Sequence, residues 1–578
     1  MIKAASTRHQ LLEVSAVSSR KTMLIIGGGL GGLSTGCYAQ MNGYDTEVLE
    51  MHEIPGGCCT GWERRNHYIL DCCISWLLGS GPGNEMHQIW LELGAIQGKQ
   101  IRNFEIFNTV EHSDGHKIHF YSNPDRLQAH LLEVAPEDKA IVKEFCHGIR
   151  RFQKCINVYP FLKPVGLMGF WERTWMMAKF TPYFRLIGKS ITELMTDFSG
   201  KCKNSYLREA FNFIFFEKMP NFPVLPFYFN LGSHANASAG VPEGGSMGLA
   251  DSIAVRYQGL GGQIHYNHKV AKILVEDSKA VGVELEDGTR RFADIVVSAC
   301  DGYTTFMKML QGQYLNETYQ RLYTKVIDED GMIFPGYFIL FLALDKDFPA
   351  IERCSTHLLT AEEGAQLPGI RHASINVQMR SRYYPELVPE GKAMLYITYF
   401  CDIQPWRELN EGGPEFKVTT QRNNYVTYTK QVKRSKAYKQ AKESVQNFLI
   451  DYLDRKHPGL KESVEFTDTS TPLTQVRYTN NYNGTVLGWQ PFVEGGETLE
   501  EEVKKHGPGL PGLQNFYLSG VWATTGGLIR AAAAGRHVAQ FICADDGKEF
   551  VASIPDTLTG ESGAPASSAV VAPLQEVA

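Results

Sequence analysis

Hydrophobic and polar residues alternate along the chain in a way that predicts strands and helices in succession. Residues 23–26 form a short apolar run of the length typical of a buried strand. A glycine-rich loop follows, then a helical pattern over residues 33–42 and a second strand pattern at residues 46–49. This order of strand, helix and strand within about thirty residues predicts a β-α-β unit with parallel strands.

Two later stretches repeat the α/β pattern, at residues 244–301 and 515–548. Between them, residues 88–243 are mainly helical in pattern, and residues 302–514 combine apolar strands with a long amphipathic helix. The predicted fold class is α/β, with a Rossmann-like domain in three discontinuous segments and an interleaved domain of mixed sheet and helices. The predicted division is a flexible N-terminus at 1–21, dinucleotide-binding segments at 22–87, 244–301 and 515–548, a substrate domain at 88–243 and 302–514, and a disordered tail at 549–578.

The glycine-rich loop carries the first chemical signal. Gly27, Gly29 and Gly32 have the spacing Gly-x-Gly-x-x-Gly between the predicted strand and the predicted helix. In a dinucleotide-binding fold these glycines permit the tight turn, the approach of the pyrophosphate and the close packing of helix on strand. Glu50 ends the second strand, where a carboxylate accepts the ribose hydroxyl groups. Because the sequence has one complete motif of this kind, we predict one tightly held dinucleotide, FAD rather than NAD.

Composition narrows the class of protein. Of 578 residues, 43% are apolar and 21% are charged, which is ordinary for a globular protein. The net charge of −6 argues against nucleic acid as a partner. Among the 12 cysteines are two adjacent pairs, Cys58-Cys59 and Cys72-Cys73, and adjacent cysteines do not favour a zinc site. We expect reduced thiols and no metal.

Signals for cellular location are few. Residues 1–20 lack the apolar core of a secretory signal, so we expect a cytoplasmic protein. The same residues contain serine and few acids, which leaves an organellar transit peptide open. No apolar run reaches the roughly 18 residues that a membrane-spanning helix needs.

Several motifs resemble, in order and spacing, those of one enzyme family. Residues 55–57 (Pro-Gly-Gly) after Glu50 resemble a second glycine signature that meets the FAD phosphates. Residues 242–246 resemble the loop that opens a middle FAD segment, and residues 515–536 resemble a C-terminal FAD signature. Over residues 22–543 the chain resembles the phytoene desaturase, carotenoid isomerase and retinol saturase group of FAD-dependent oxidoreductases.

The resemblance implies which residues contact the cofactor. The two glycine loops would surround the phosphates, a strand of the middle segment would lie near the adenine, and the N-terminus of the last helix would face the flavin. The implied cofactor-binding residues are Gly27, Gly29, Leu30, Gly31, Gly32, Glu50, Met51, Gly56, Gly57, Cys58, Val270, Gly520, Gly527, Leu528 and Ile529.

The chain departs from the family pattern at positions that bear on the chemistry. Cys58 stands where desaturases carry an arginine, and in this it resembles retinol saturases. Leu528 and Arg530 stand where the C-terminal signature usually has glycine and proline. Arg530 is the candidate to stabilise an anionic reduced flavin. Arg477 and Tyr478 are candidates for polar groups on the substrate side.

The resemblance implies an oxidoreductase that desaturates, saturates or isomerises carbon–carbon double bonds of an apolar, carotenoid-like or retinoid-like isoprenoid. An FAD-dependent amine or small-molecule oxidase on the same scaffold is the alternative, and a non-catalytic dinucleotide-binding protein is a remote one. Residues 244–248 also match Gly-x-Ser-x-Gly, the nucleophile turn of serine hydrolases. Pro242 disfavours the central strand that this turn needs.

Residues 156–230 are rich in aromatic side chains and carry nine Lys or Arg against five Asp or Glu. The aromatic side chains predict either the wall of a substrate cavity or an internal core. Because the segment is also basic, peripheral contact with an anionic membrane is a further prediction. The expected partners are an apolar small molecule and a membrane surface, with no nucleic acid.

Overall fold

The computed structural model describes residues 20–556 apart from 66, 220, 412–414, 423–424 and 433, and of residues 415–432 it describes the backbone. The strands are β1 Thr22–Ile26, β2 Asp45–Leu49, β3 Gly61–Arg64, β4 Tyr68–Asp71, β5 Ile101–Arg102, β6 Ile106–Glu111, β7 Lys117–Tyr121, β8 Val241–Pro242, β9 Gln263–His265, β10 Val270–Glu276, β11 Lys279–Leu285, β12 Arg290–Phe292, β13 Ile295–Ser298, β14 Gly336–Leu344, β15 Cys354–Leu358, β16 Ser374–Met379, β17 Ala393–Cys401, β18 Glu415–Arg422, β19 Tyr425–Val432, β20 Val464–Ser470, β21 Gly509–Leu510 and β22 Leu513–Leu518. The α-helices are α1 Leu30–Met41, α2 Glu85–Glu92, α3 Pro124–Val134, α4 Lys139–Cys155, α5 Phe170–Phe180, α6 Phe184–Thr192, α7 Met195–Gly200, α8 Ser205–Asn212, α9 Leu225–Ala235, α10 Gly245–Gly259, α11 Glu317–Thr324, α12 Ala361–Gly364, α13 Arg380–Tyr383, α14 Gln404–Leu409, α15 Lys436–Lys456, α16 Pro472–Thr479, α17 Glu494–His506 and α18 Leu528–Asp545.

The larger sheet has nine strands, and seven of them follow the order β10-β11-β22-β13-β1-β2-β9. Its centre is parallel, since β1 pairs with β2 on one side and with β13 on the other, and β22 pairs with β13. Strands from three distant parts of the chain therefore lie side by side. The predicted α/β fold class, with a Rossmann-like sheet, is confirmed.

Helices α1, α10 and α18 pack together beside this sheet, and small residues set their spacing. A Cβ on Gly535 of α18 would lie 2.5 Å from the backbone nitrogen of Thr35 in α1. A Cβ on Gly36 would lie 2.6 Å from the ring of Tyr257 in α10. Glycine at these positions lets three helix backbones meet closely, which places the N-terminus of α1 beside the ends of the central strands.

The second sheet has seven strands in the order β20-β14-β17-β16-β15-β6-β7. It is antiparallel except between β15 and β6, which run parallel. One face carries apolar side chains such as Leu340, Ile375 and Ile397, which pack with Leu449 and Leu453 of α15. Side chains of the opposite face pack with the β3–β4 hairpin, which follows the second glycine loop. The sheet therefore presents this face to the dinucleotide-binding domain.

Helices α3 to α9 form most of a further core, beside β6 and β7. Phe213, Phe222 and Phe227 of the aromatic-rich segment lie buried there, as one of the two predictions for that segment expected. Phe170 and Trp171 do not, because their side chains project from α5 with 74% and 79% of their surface exposed. The segment thus divides into a buried part and an exposed part.

The predicted disordered tail begins too early. Residues 549–556 are described and make specific contacts: the Asn42 side chain donates to the carbonyl oxygen of Val551 at 2.8 Å and accepts from its N–H at 2.7 Å. The Phe550 ring lies 5.9 Å from the ring of Tyr38. These contacts hold the chain against α1, so the prediction is wrong for residues 549–556. The remainder of the tail, 557–578, and residues 1–19 of the predicted flexible N-terminus lie outside the described residues.

Candidate functional site

The first glycine loop joins β1 to α1 in a tight turn. Gly27 has φ +98°, a conformation that side chains rarely allow. A Cβ on Gly32 would overlap the carbonyl oxygen of Gly27, so this helix position requires glycine. Gly29 stands immediately before Leu30, and no side chain caps the helix. The backbone N–H groups at the start of α1 are thus exposed to an anion, which is the arrangement that binds a pyrophosphate.

The second glycine loop lies directly on the first. The Gly56 N–H donates to the carbonyl oxygen of Gly28 at 2.9 Å, and residues 29 and 56 form an isolated parallel bridge. A Cβ on Gly57 would come within 3.2 Å of the Cα of Gly29. Two backbone segments therefore flank the N-terminus of α1 with no side chain between them.

A third segment of backbone, at Gly520, lies against the start of α1. A Cβ on Gly31 would lie 2.5 Å from the Cα of Gly520, which follows β22. The Ser519 hydroxyl hydrogen-bonds the Thr35 hydroxyl at 2.9 Å and fixes this contact. Gly31, Gly56 and Gly520, from distant parts of the sequence, therefore converge at the start of α1.

Glu50 joins the end of β2 to the first glycine loop. Its Oε2 accepts from the Gly28 N–H at 2.6 Å, and its Oε1 accepts from the His52 N–H at 2.7 Å. The side chain is 94% buried, with 6% of its surface exposed. The carboxylate is thereby held at the carboxyl end of a parallel strand, where a dinucleotide ribose binds in this fold.

Two further predicted contacts flank Glu50. Val270 is buried at the start of β10, and the N–H of His268 donates to the carbonyl oxygen of Glu50 at 2.8 Å. Met51 is half-buried beside the carboxylate. The strand that carries Val270 is therefore positioned next to the ribose end of the predicted site.

The N-terminus of α18 forms the other end of the site. Gly527 has φ +125°, and no described atom lies within 4 Å of the position that a Cβ would occupy there. Leu528 and Ile529 begin the helix; Ile529 is buried in the core and Leu528 packs at its margin. The Arg530 Nη1 atom donates to Glu500 at 3.2 Å and to Thr525. A carboxylate thus already offsets the charge that was predicted to act on the flavin.

Arg477 and Tyr478 are both exposed at the end of α16. The Tyr478 ring lies 5.0 Å from the ring of His52, near the loop after Glu50. The predicted role on the substrate side needs a buried position, and these side chains do not have one. Their neighbour Asn481 is buried instead, and its Nδ2 atom donates to the Cys58 sulfur at 3.3 Å.

The sequence prediction missed Asp301, which lies close to the glycine loops. Asp301 follows β13, the strand beside β1, and accepts from the backbone N–H groups of Thr304 at 2.6 Å and Tyr482 at 2.9 Å. Burial raises its pKa to about 6. Its place at the carboxyl end of a predicted parallel strand was a signal that could have identified it.

The serine hydrolase alternative is inconsistent with the geometry. Ser246 lies in the first turn of α10, and its hydroxyl donates to Asp71 at 3.0 Å and accepts from the Ile74 N–H at 2.9 Å. The preceding strand, β8, has two residues and pairs with β5 at a distance from either large sheet. Ser246 is buried and fully bonded, so it fixes the chain and is not an exposed nucleophile.

Comparisons with known proteins indicate the type of domain and the relatives of the chain. Residues 25–93 match a family model described as an NAD(P)-binding Rossmann-like domain. Prolycopene isomerase 1, chloroplastic, of an Oncidium hybrid cultivar is 25% identical over 92% of this chain and 85% of its own length. All-trans-retinol 13,14-reductase of Danio rerio is 24% identical over 86% of this chain and 82% of its own length. A phytoene desaturase of Rhodobacter capsulatus matches 50% of this chain.

The chain is a homologue of the phytoene desaturase, carotenoid isomerase and retinol saturase group of FAD-dependent oxidoreductases. The resemblance predicted from the motifs is confirmed. A solved structure of a triple mutant of putrescine oxidase has the same fold, with a TM-score of 0.55 and 12% identity over 91% of this chain and 99% of that one. Among the described helices, none combines the length and the apolar character that crossing a bilayer requires.

Proposed function

We propose that this chain is an FAD-dependent oxidoreductase that acts on carbon–carbon double bonds of an apolar, isoprenoid substrate. The observation that carries the proposal is the convergence of Gly29, Gly56 and Gly520 around the N-terminus of α1, with Glu50 at its side. This is a site for a dinucleotide, and the homologues named above act by their names on prolycopene, retinol and phytoene.

The residues present fit FAD. The pyrophosphate would lie at the uncapped start of α1, where a side chain in place of Gly29, Gly57 or Gly520 would intrude. Glu50 would accept the ribose hydroxyl groups, and Val270 would pack near the adenine. The backbone at Gly527 would approach the flavin because no Cβ is there. When bound, FAD supplies hydride transfer to or from a carbon atom of the substrate.

The chain's own contribution is to orient the substrate, exclude water and fix charge. Burial raises the pKa of the Cys58 thiol to about 12, so this group is neutral at physiological pH. At the position where desaturases carry arginine, this chain therefore places an uncharged group that needs no counter-charge. Asn481 holds the thiol in place through its amide.

Arg530 remains the candidate that tunes the flavin, with Glu500 as its counter-charge. The Arg530 Nη1 atom lies 3.2 Å from the Glu500 Oε1 atom, and the two side chains are 34% and 40% exposed. An ion pair of this exposure weakens the field of each partner at a distance. We assign to Arg530 a moderate positive influence on the flavin potential, which Glu500 limits.

The exposed part of the aromatic-rich segment supports membrane contact at the periphery. Six large apolar side chains of α5 and α6 are exposed, and cations lie among them. Trp175 is 65% exposed with the Lys179 ammonium over its ring at 5.4 Å. Aromatic side chains beside cations suit the interface of an anionic bilayer, which would also deliver an apolar substrate. The exposed side chains are Phe170, Trp171, Trp175, Met177, Phe184 and Ile191.

The name of one relative bears on the cellular location of the protein. The Oncidium relative is chloroplastic by its name, which is compatible with the organellar alternative to a cytoplasmic protein. An amine or small-molecule oxidase remains the second candidate function, since the fold of putrescine oxidase covers 91% of this chain.

The visible absorption spectrum of the purified protein tests the cofactor assignment. We expect a flavin spectrum, and release of FAD on denaturation in an amount equal to that of the chain. Incubation with polyamines and with conjugated polyenes then separates the two candidate functions. A colourless protein that also fails to bind added FAD would contradict the proposal.

A further inference from the structure

The two faces of the seven-stranded sheet differ in the polarity of their buried side chains. The face against α15 is mainly apolar, and its buried His357 bonds Ser355 and the Tyr452 hydroxyl of that helix. The opposite face, towards the dinucleotide-binding domain, carries buried polar side chains on adjacent strands. Buried polar groups cost free energy unless they are hydrogen-bonded, so each of them needs an explanation. They include Asn108, Thr356, Asn376, Gln378 and Arg380.

Four of these side chains satisfy one another. Asn108 and Asn376 donate to the Thr356 hydroxyl at 3.0 and 3.3 Å. Gln378 donates to Asn376 at 2.6 Å and accepts from the Ser75 hydroxyl at 3.2 Å. This chain of hydrogen bonds explains their burial as structural.

Arg380 is the exception. It continues the alternation of Asn376 and Gln378 and has 3% of its surface exposed. Its Nη1 atom donates to the carbonyl oxygen of Ile74 at 2.7 Å. Its Nε and Nη2 atoms are buried and have no hydrogen-bond partner among the described residues. These two atoms form one edge of the guanidinium, the edge that binds a carboxylate with two parallel hydrogen bonds.

Neighbouring groups hold the guanidinium without using that edge. It lies over the ring of Tyr396 at 4.4 Å and over the ring of Tyr383 at 5.2 Å. Asp71 is the acidic group that acts on it most strongly, yet the two form no ion pair within the described part of the chain. The Asp71 oxygen atoms instead accept from the Ser246 N–H at 2.5 Å and the Ser246 hydroxyl at 3.0 Å.

Aromatic side chains cover the sheet face beside Arg380. The Tyr396 ring lies 5.0 Å from the ring of Phe341, which lies 6.0 Å from the ring of Trp62. Tyr337 stacks on Phe400 at 4.4 Å along the same sheet face. A ligand whose end reaches Arg380 would therefore need an apolar body.

Arg380 is also connected to the dinucleotide site. Ile74, whose carbonyl oxygen it binds, donates its own N–H to Ser246 at 2.9 Å. The Cys72 sulfur, two residues earlier, donates to the carbonyl oxygen of Thr60 at 3.1 Å, just beyond the second glycine loop. Residues 72–74 thus connect the guanidinium to the residues that follow that loop.

We infer that the Nε–Nη2 edge of Arg380 binds a carboxylate at the end of an otherwise apolar, unsaturated ligand. The inference rests on the proposed function, because this ligand would be the substrate. It narrows the substrate from an apolar isoprenoid in general to an isoprenoid acid. The pair of hydrogen bonds would fix one end of the molecule and so select which double bond lies against the flavin.

The test compares two probes that differ only in charge: cis-parinaric acid, a conjugated tetraene with a carboxylate, and its methyl ester. Binding of each to the FAD-loaded protein is measured by probe fluorescence. We expect the acid to bind at least about tenfold more tightly than the ester, because charge-assisted hydrogen bonds are lost with the ester. In Arg380→Met the affinity for the acid should fall to that for the ester, and Arg380→Lys should give an intermediate preference.

Arg353→Met is the matched control. Arg353 lies over the rings of Phe104 at 4.1 Å and Tyr383 at 4.6 Å, but its Nη2 atom donates to backbone carbonyl oxygens of residues 106 and 107. Its replacement should leave the preference for the acid unchanged. Should Arg380→Met fail to fold, the wild-type preference and Arg380→Lys still decide the matter.

Equal affinity of the wild-type protein for acid and ester, no binding of either, or an unchanged preference in the Arg380 variants would overturn the inference. These results are distinguishable from failure of the proposed function, which would show as a protein that binds no FAD. A lowered FAD content in Arg380→Met with an unchanged preference for the acid would assign Arg380 to the cofactor and would also overturn it.

Discussion

The Oε2 atom of Glu50 lies 2.6 Å from the backbone nitrogen of Gly28. This hydrogen bond ties the carboxylate at the end of β2 to the glycine loop at the end of β1. The carboxylate that would bind the ribose and the loop that would bind the pyrophosphate are therefore fixed to each other.

Replacement of Glu50 by glutamine should weaken FAD binding by about tenfold or more. The amide keeps the shape of the side chain but loses the charge that strengthens the hydrogen bonds to the ribose and to Gly28. The dissociation constant of FAD, from titration of the apoprotein, measures this effect. Glu53→Gln is the control, because Glu53 is exposed on the same loop and should leave FAD affinity unchanged.

The stability of the protein should depend on pH through Asp301. Burial raises the pKa of this carboxyl to about 6 from its ordinary value of 3.8. Between these values the folded state holds the proton and the unfolded state does not, so the free energy of unfolding falls as pH rises. The contribution is on the order of 1–3 kcal/mol.

Urea unfolding of the wild-type protein and of Asp301→Asn at pH values from about 4 to about 6 measures this contribution. The decline with rising pH should be shallower in the variant, whatever its absolute stability. Asp294→Asn is the contrast, because hydrogen bonds from Thr22 lower the pKa of Asp294 below 3.8 and outside this window. A decline of equal slope in Asp301→Asn would contradict the assignment.

The pair formed by Arg530 and Glu500 should set the flavin reduction potential in opposite directions. Arg530→Met removes a positive charge and should lower the potential, whereas Glu500→Gln leaves Arg530 without its counter-charge and should raise it. Redox titration of the bound flavin against a dye of known potential checks both. If Arg530→Met left the potential unchanged, its role on the flavin would be abandoned.

Much of the dinucleotide site could be predicted from the sequence because its parts are local. The glycine spacing and Glu50 belong to one β-α-β unit, whose geometry is fixed by short-range constraints. The helix α1 was predicted to start at residue 33, because Gly31 and Gly32 are poor helix formers. It starts at Leu30. Glycine is needed at these two positions because Gly31 lies against Gly520 and Gly32 lies against Gly27.

Other features could not be predicted, because they arise from contacts between distant segments. Arg380 follows a strand whose neighbours come from residues 354–358 and 393–401, and its unused edge is visible only once the sheet is assembled. Arg530 acquires its partner Glu500 from α17, and residues 549–556 are held by Asn42. The composition of residues 549–556 predicted disorder, because it does not show the contact with Asn42.

The exposed aromatic surface of α5 and α6 should bind membranes. The double variant Trp171→Gln/Trp175→Gln should reduce binding to vesicles of anionic phospholipid by about tenfold or more, because burial of each indole contributes roughly 1.5–3 kcal/mol. Sedimentation with the vesicles measures the bound fraction. Phe292→Gln is the control, since Phe292 is 64% exposed on β12 of the larger sheet and should not change binding. Equal binding of the double variant and the wild-type protein would exclude this surface.

The measurement that tests the central claim most directly uses the FAD-loaded protein under anaerobic conditions with conjugated polyenes. Two experiments are run, one with reduced flavin and one with oxidised flavin. In each, the absorbance of the flavin and of the polyene is recorded over time. The account predicts that the polyene spectrum changes, either with a matching change in flavin oxidation state or, for isomerisation, with reduced flavin that returns unchanged. A holoenzyme that alters no polyene in either state but is reduced by an amine would contradict it.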